Sequence, residues 1–423
     1  MSNVHKKVLI ISRDFIPYCE TLGGAIRVLK MAEFFLENNI DVYIIAAKGE
    51  KINYFGYENL IKNMKVIYID DPLQKYITEN FNKTRLLNAS NDKYLFTNLR
   101  NNLKKVINEF SIPDAGVFFI RKFLKTALKL ISDEHIKNVI VSSPPHSSQL
   151  LGLIIKKILG SNICYIVDYR DSWNCGGLFS KHTYLTKKLS EICEQNVLKT
   201  CDYFLYVSLP ILQKINLKFF DITSKSLLVM NGFDIKMADK RRCRNNTQKN
   251  NLTMGYFGSI GRERNPESLF RAILKVNKEI KLIFYTHNPI DHIWTDKLEG
   301  ILEAKDAVDH QTALNMMRKM DVLLLIHSEV DGADEVITGK FFEYLLAEKP
   351  IFVVGPKTME VVRMIKERQL GYYADINDEE DILNTLYRIY IDWQNNELFS
   401  YSLEDVGDLS RQHQYSKILD ILI

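Results

Sequence analysis

The chain has 423 residues, of which 46% are hydrophobic and 26% are charged, and its formal net charge is +4. A chain of this length exceeds the size at which a single hydrophobic core stops growing, so we expect two domains. A net charge this small does not require a polyanionic partner, and nucleic acid is therefore not predicted as one.

The N-terminal residues indicate where the protein works. The opening MSNVHKK passes directly into an apolar strand, with no signal-peptide h-region. The best candidate for a membrane span begins at Leu150, but Lys156 and Lys157 interrupt it before the roughly 20 residues that a span needs. The six cysteines form no CxxC pair, so neither a zinc site nor a disulfide framework is predicted. We expect a cytoplasmic protein, at most peripheral at the inner face of the plasma membrane.

The first half of the chain repeats a short β-branched run, a turn and a stretch of helical periodicity. Several of the runs are apolar almost throughout, as expected for parallel strands covered on both faces. A parallel α/β domain is the consequence. Its predicted strands are Lys7–Ser12, Asp41–Ala47, Lys65–Asp70, Asn138–Ser143, Cys164–Tyr169 and Asp202–Ser208.

A second α/β series follows the polar, basic stretch from Lys236 to Asn251, which has too little apolar surface to pack and is predicted to be a linker or surface loop. Its predicted strands are Met254–Ser259, Lys281–Thr286, Asp321–His327 and Pro350–Gly355.

The end of the chain contains the apolar-spaced helix SKILDILI and no strand. A helix with one apolar stripe must be buried against another element, and we expect this one to cross back to the first domain. The predicted domains are residues 1–228, completed by 395–423, and residues 229–394.

Open parallel sheets bind ligands at the carboxyl ends of their strands, so the residues that follow each strand are the candidates for a site. After the first strand, Gly23 and Gly24 precede a helix. Glycines there allow backbone N–H groups to approach a phosphate, although an ordinary strand-to-helix turn has the same pattern.

The segment VIVSSPPHSSQ follows the fourth strand. Pro144 and Pro145 are predicted to fix a turn that presents His146 and Ser147 toward a ligand crevice.

Four chemically active side chains follow the fifth strand within six residues: Asp168, Arg170, Asp171 and Trp173. Charges this close to an apolar core need partners, so the segment predicts either an active site or a structural salt-bridge network.

Near the end of the second series, Glu335 and Glu343 are separated by seven residues and enclose Thr338, Gly339 and Lys340. A helix that starts near Gly339 would direct its free N–H groups, its dipole and Lys340 at one point, which suits a diphosphate. Glu343 would lie about one turn inside, where its carboxylate can accept hydrogen bonds from ribose hydroxyls.

The first strand of the second series ends in the segment YFGSIGRER, with Gly258 at the turn and Arg262 and Arg264 after it. The planar guanidinium group suits phosphate oxygens, although a solvated turn with two surface arginines fits the same residues. Together with Lys340, these arginines would form a cationic cradle.

Taken in order, the Gly23–Gly24 turn, SSPPHSS, DYRDSW, MNGFD, YFGSIGR and ExxTGKFFEYL resemble the retaining GT-B glycosyltransferases of bacterial surface polysaccharide assembly, the family-4 group. The resemblance implies two Rossmann-like domains facing a cleft, with a C-terminal helix crossing back. It implies transfer of a sugar from a UDP- or GDP-linked donor to a glycan or polyprenyl-linked acceptor.

The resemblance also implies roles for individual residues. The donor-binding residues would be Gly23, Gly24, Gly258, Arg262, Arg264, Thr338, Gly339, Lys340 and Glu343. The catalytic residues would be Asp171, Arg170 and Glu335, and the acceptor-side residues His146, Ser147 and Trp173. The chain departs from the family where Val336 and Ile337 stand in a stretch that is usually glycine-rich, and where the phosphate turn has two arginines instead of an arginine and a lysine.

No DxD motif follows a strand in an exposed loop, so we predict a reaction without a metal or cofactor, in which fixed cations stabilise the leaving diphosphate. We expect retention of the anomeric configuration by a front-face route. An NAD-linked oxidoreductase is disfavoured because no GxGxxG follows the first strand. A sugar-nucleotide epimerase and a non-catalytic binding subunit remain alternatives.

A weaker prediction is contact with a membrane surface. The helical region Phe118–Ile131 contains Arg121, Lys122, Lys125 and Lys129 among apolar residues. This pattern suits an anionic lipid surface, but it equally suits an amphipathic helix that packs its apolar stripe inward.

Overall fold

The computed structural model describes residues 5–19, 22–51, 57–72, 74–75, 111–176, 183–237, 251–276 and 279–423. These residues form two compact units, Met1–Met230 with Tyr415–Ile423, and Asn231–Gln414. Residues 395–414 belong to the second unit, whereas the sequence analysis joined them to the first domain. Most of the basic stretch from Lys236 to Asn251 lies outside the described residues.

The first unit contains a seven-stranded sheet in the order β3-β2-β1-β4-β5-β6-β7, with all neighbours parallel. Every residue of β4 and β5 is buried, as expected for central strands of a parallel sheet that is covered on both faces. The six strands predicted for this half are present, and among the described residues the three-residue β7 was not predicted. The strands are β1 (Lys7–Ile11), β2 (Asp41–Lys48), β3 (Lys65–Asp70), β4 (Asn138–Ser143), β5 (Cys164–Tyr169), β6 (Tyr203–Tyr206) and β7 (Ser226–Leu228).

Helices cover both faces of this sheet. Successive side chains of a strand point to opposite faces, so Leu9 of β1 joins one hydrophobic core, with Phe123, and Val8 joins the other, with Val28. The helices are α1 (Leu22–Glu37), α2 (Glu58–Lys62), α3 (Ile120–Glu134), α4 (Ser147–Leu159), α5 (Tyr184–Thr200) and α6 (Leu209–Lys218).

The second unit contains a six-stranded parallel sheet in the order β10-β9-β8-β11-β12-β13. The strands are β8 (Leu252–Phe257), β9 (Ile280–Thr286), β10 (Leu302–Asp306), β11 (Val322–Ile326), β12 (Ile351–Gly355) and β13 (Gly371–Asp375). The helices are α7 (Glu267–Lys275), α8 (His292–Lys297), α9 (His310–Met317), α10 (Gly339–Leu346), α11 (Glu360–Arg368) and α12 (Glu379–Gln394). The two parallel α/β domains predicted from the sequence are confirmed.

The last helix, α13 (Arg411–Leu419), begins in the second unit and ends in the first. Tyr415 and Ile418 are fully buried in the same core as Val8, and the Tyr415 hydroxyl donates to the backbone carbonyl of Arg27 over 3.3 Å. The chain end is held by Asn138, whose side-chain nitrogen donates to the Ile423 carbonyl over 2.9 Å. The predicted return of the C-terminal helix is confirmed.

Candidate functional site

The segment between the two glutamates folds as the sequence predicts. Helix α10 starts at Gly339, with Thr338 at the N-cap position and Glu343 one turn inside. Gly339 is exposed and a Cβ at this position would meet nothing within 4 Å, so the helix start is open at Gly339. The Phe341 N–H, two positions on, already donates to the Thr338 carbonyl over 3.1 Å. The Thr338 hydroxyl is buried and has no hydrogen-bond partner among the described residues. This helix end therefore keeps donors available for a ligand.

Lys340 lies beside this helix end in a nearly enclosed position. Its ammonium group donates to the Tyr256 hydroxyl over 2.9 Å and stands 4.4 Å from the centre of the Tyr256 ring. Burial and, to a smaller extent, the positive charge of Arg264 together lower the pKa of Lys340 to about 7. A nearby anion would reverse this effect, because it stabilises the ammonium form.

Gly258 makes room for Lys340. Its φ is +134°, a conformation that residues with a side chain rarely adopt, and a Cβ at this position would lie 2.1 Å from the Lys340 Cε. The glycine predicted at the donor turn is therefore required for two reasons: the positive φ angle and the closeness of the Lys340 side chain.

The structure distinguishes the two arginines of the same turn. Arg262 is exposed, whereas Arg264 is partly buried and close enough to affect the pKa values of Lys340 and His327. The Arg264 Nε is buried without a hydrogen-bond partner, and within the described ranges no carboxylate forms an ion pair with Arg264 or Lys340. Glu343 is close enough to favour the ammonium form of Lys340 without forming an ion pair with it. The two cations are therefore only partly balanced, and they form a suitable site for an anion.

Two histidines, neither predicted from the sequence, border this cluster. Burial lowers the pKa of His327, whose Nδ1 lies 2.8 Å from the Ser328 carbonyl oxygen. His310, the first residue of α9, has its Nε2 3.3 Å from Glu343 Oε1, and this hydrogen bond raises the pKa of His310. Glu343 is 39% exposed, so its carboxylate is oriented by His310 while remaining accessible.

Glu335 differs from Glu343 in its surroundings. It ends the short 3-10 turn Ala333–Glu335, just before α10, and is only 7% exposed. Its predicted contact with the transferred sugar stays a prediction.

In the first unit, Arg170 follows β5 and packs against the start of α1. Its Nε donates to the Ser143 carbonyl over 3.2 Å, and its Nη2 donates to the Pro144 carbonyl. A Cβ at Gly24 would lie 1.5 Å from Arg170 Nη1, whereas a Cβ at Gly23 would meet nothing within 4 Å. The absence of a side chain at Gly24 therefore leaves room for Arg170, whereas Gly23 has no such contact.

A buried ion pair beneath Arg170 was missed by the sequence analysis. Arg27 Nη2 lies 2.7 Å from Asp168 Oδ1, both side chains are fully buried, and the Ser142 hydroxyl donates to Asp168 Oδ2 over 2.8 Å. Asp168 thus belongs to a structural network, whereas Asp171 is partly exposed. The catalytic assignments of Arg170 and Asp171 stay predictions.

The predicted acceptor-side residues lie in the interior of the first unit. The His146 ring is fully buried and stacks on Trp173 with a centroid distance of 5.3 Å, and burial lowers the pKa of His146 to about 3. Ser147 is 1% exposed, and its backbone N–H donates to Asp114 over 2.9 Å. Aromatic packing holds the histidine inside, so His146 is not presented toward a crevice as expected. Ser147 lines a small pocket together with Arg13. The acceptor-side assignment of these residues stays a prediction.

Within the ranges that the structure describes, no helix is long and apolar enough to cross a bilayer. No group of three or more His, Cys, Asp or Glu side chains in those ranges is arranged to hold a metal ion.

No protein-family model matches the sequence, and no curated protein sequence matches it. Solved structures, in contrast, match nearly the whole chain. A glycosyltransferase from Rickettsia africae ESF-5 has a TM-score of 0.67 and 11% identity, and the match covers 99% of this chain and 98% of that one. HepE of Anabaena, in complex with UDP and glucose, has a TM-score of 0.62 and 10% identity, over 98% of this chain and 99% of that one. The lipopolysaccharide outer core galactosyltransferase WaaB has a TM-score of 0.61 and 12% identity, over 98% of each chain. At such identities the likeness shows the fold, which is the two-domain GT-B fold that the sequence predicts.

Proposed function

We propose that the chain is a glycosyltransferase that moves a sugar from a nucleoside-diphosphate sugar, UDP- or GDP-linked, to a glycan or polyprenyl-linked acceptor. The observation that carries the proposal is the pair of cations, Arg264 and Lys340, beside the open N-terminus of α10. The fold adds support, because HepE, which shares it, has been solved in complex with UDP-glucose.

The same groups suggest how the reaction is assisted. Negative charge develops on the diphosphate as its bond to the sugar breaks, and fixed donors aimed at it lower the barrier. Arg264, Lys340 and the first N–H groups of α10 would supply those donors without a metal. Glu343, oriented by His310, would accept hydrogen bonds from the ribose.

Retention of the anomeric configuration belongs to the proposal. The departing phosphate oxygen would take the proton of the acceptor hydroxyl on the same face of the sugar, with Arg170, Asp171 and Glu335 assigned to the sugar and acceptor. The anomeric coupling constant of the product, measured by NMR, tests this, and an inverted linkage would reject it. Undiminished turnover in the presence of EDTA is expected if no metal takes part.

Calorimetric titration with nucleoside diphosphates tests the donor site directly. We expect binding, and we expect Arg264→Gln to weaken it by about tenfold or more, because a hydrogen bond to a charged group is worth roughly 1.5–3 kcal/mol. Arg262→Gln is the matched control, since Arg262 lies in the same turn but is exposed, and its affinity should stay unchanged.

Unchanged affinity in both the Arg264 and the Arg262 variant would remove the site from this turn. Conversion of the donor sugar with no acceptor present would indicate an epimerase. Tight donor binding without turnover across a broad acceptor panel would indicate a non-catalytic subunit.

A role in cell-surface polysaccharide synthesis, at the inner face of the plasma membrane, completes the proposal. Helix α3 contributes little apolar surface to such a location, because its stripe of Phe123, Ala127 and Ile131 is buried in the first unit. Any contact of α3 with lipid would be chiefly electrostatic.

A further inference from the structure

Helix α5 exposes apolar side chains that a helix normally buries. The exposed fractions are 79% for Tyr184, 67% for Leu185, 42% for Leu189 and 52% for Ile192. Leu185, Leu189 and Ile192 are spaced i, i+4, i+7, so they lie on one face of the helix. The opposite face is already packed in the core, where Val197 and its neighbours are buried. The helix therefore has a second apolar stripe that no part of the chain described by the structure covers.

Helix α6 extends this surface. Lys218, at its C-terminal end, lies 3.0 Å from Glu191, which brings this end of α6 next to α5. The neighbouring Leu217 is 90% exposed. We call this surface the α5–α6 face; it consists of Tyr184, Leu185, Leu189, Ile192 and Leu217 with Lys188, Lys199 and Lys218.

The charge of the α5–α6 face has one sign. Lys188 and Lys199 are exposed on α5, at i+3 from Leu185 and i+7 from Ile192, so they lie beside the apolar stripe. The two carboxylates of this helix are withdrawn from solvent: Glu194 is fully buried, and Glu191 forms ion pairs with Lys188 and Lys218. Helix α6 contains no acidic residue. The face is thus apolar at its centre and positive at its edges.

We propose that the α5–α6 face binds the surface of a membrane that contains anionic lipids. An amphipathic helix lying in the interface inserts its apolar side chains between headgroups, while lysines at its edge contact the lipid phosphates and keep their ammonium groups in water. A second copy of the chain is a poorer occupant, because a two-fold interface would place these lysines against one another.

The position of α5 gives this contact a consequence for the proposed reaction. The loop after β5 is attached to α5, because Trp173 Nε1 donates to the Ser190 hydroxyl over 2.9 Å and Asn174 Nδ2 donates to Glu194 over 2.7 Å. A membrane held at α5 would bring a lipid-linked acceptor to the unit that carries Arg170. This consequence rests on the proposed function, whereas lipid binding itself does not.

Co-sedimentation of the full chain with vesicles tests the proposal. We expect binding to phosphatidylcholine vesicles that contain phosphatidylglycerol, and loss of binding at high salt. Leu185→Ser/Ile192→Ser and Lys188→Gln/Lys199→Gln should each weaken the partition coefficient by about tenfold or more, because inserted apolar groups and lysines near the surface each contribute on the order of 1 kcal/mol. No donor is present, so the result is independent of the glycosyltransferase proposal.

Two control variants keep the test specific. Ile391→Ser removes a similarly exposed apolar side chain from the second unit, and Lys122→Gln/Lys125→Gln removes two charges from α3; both should bind like the unchanged protein. Equal binding by the α5 variants, or loss only in the α3 variant, would overturn the proposal. The proposal would also be overturned if the protein did not bind anionic vesicles but changed from dimer to monomer when Leu185→Ser/Ile192→Ser is introduced. Melting temperatures close to that of the unchanged protein show that each variant is folded.

Discussion

Lys340 makes the charge of the candidate site depend on what the site contains. With the site empty, burial and Arg264 lower the pKa of Lys340 to about 7. A bound diphosphate favours the ammonium form and raises this pKa. Donor binding should therefore take up a proton above pH 7, and the affinity should fall as the pH rises from about 7 toward the pKa of the complex.

Calorimetric titration of a nucleotide sugar at pH 8, in two buffers with different ionisation heats, measures this proton. Lys340→Arg keeps a positive charge at any working pH, so this variant should bind with no net proton uptake and with an affinity that changes little with pH. The same uptake in both proteins would assign the proton to another group.

At this scale, the sequence predicts the residues that belong to one continuous segment. The spacing of Thr338, Gly339 and Lys340 places them at a helix start without any knowledge of the fold. The partners of such residues come from remote parts of the chain: Tyr256 lies 84 positions from Lys340, and Arg27 lies 141 positions from Asp168. No local spacing signals these contacts, because only the packing of the sheet creates them.

At the scale of elements, the start of α1 is fixed by the close approach of Gly24 to the Arg170 guanidinium group. Gly24→Ala would place a methyl group on the Arg170 guanidinium, so either the arginine or the helix must shift. We expect a loss of roughly 1–3 kcal/mol in the free energy of unfolding, the usual cost of overpacking. Because Arg170 is assigned to the reaction, we also expect transferase activity to fall.

Gly23→Ala is the matched control, one position earlier in the same helix. Its methyl group meets nothing within 4 Å, and alanine favours a helix over glycine by at most about 1 kcal/mol. Chemical denaturation should show this variant equal to the unchanged protein or slightly more stable. Similar destabilisation of both variants would contradict the packing of Arg170 on Gly24.

Among the strands, β11 and β12 are buried throughout and apolar in sequence, so their existence and class follow from pattern alone. Strands β4 and β5 are also buried throughout, although β4 ends in two serines and β5 contains Asp168. The missed strands β7, β10 and β13 lie at sheet edges, where half-exposed positions carry polar residues such as Glu303 and Lys305. These strands are recognised by their pairing with a neighbouring strand in the structure, and not by their composition.

At the scale of the whole molecule, the C-terminal helix links the stability of the first unit to residues at the far end of the chain. Ile418 and Leu422 are buried in the core beside β1. Ile418→Ala/Leu422→Ala should lower the free energy of unfolding of the first unit by about 2–5 kcal/mol for each side chain removed. Asp420→Ala, an exposed position between them, should have little effect.

The unfolding transition of the second unit shows whether the loss of stability is confined to the first unit. It has its own hydrophobic core and contains Arg264, Lys340 and Glu343. Differential scanning calorimetry should therefore show an earlier transition for the first unit of the double variant, with a later transition that a nucleoside diphosphate still raises, because a ligand stabilises only the structure that binds it. A double variant that melts in one transition and no longer responds to the nucleotide would show that the two cores do not unfold independently.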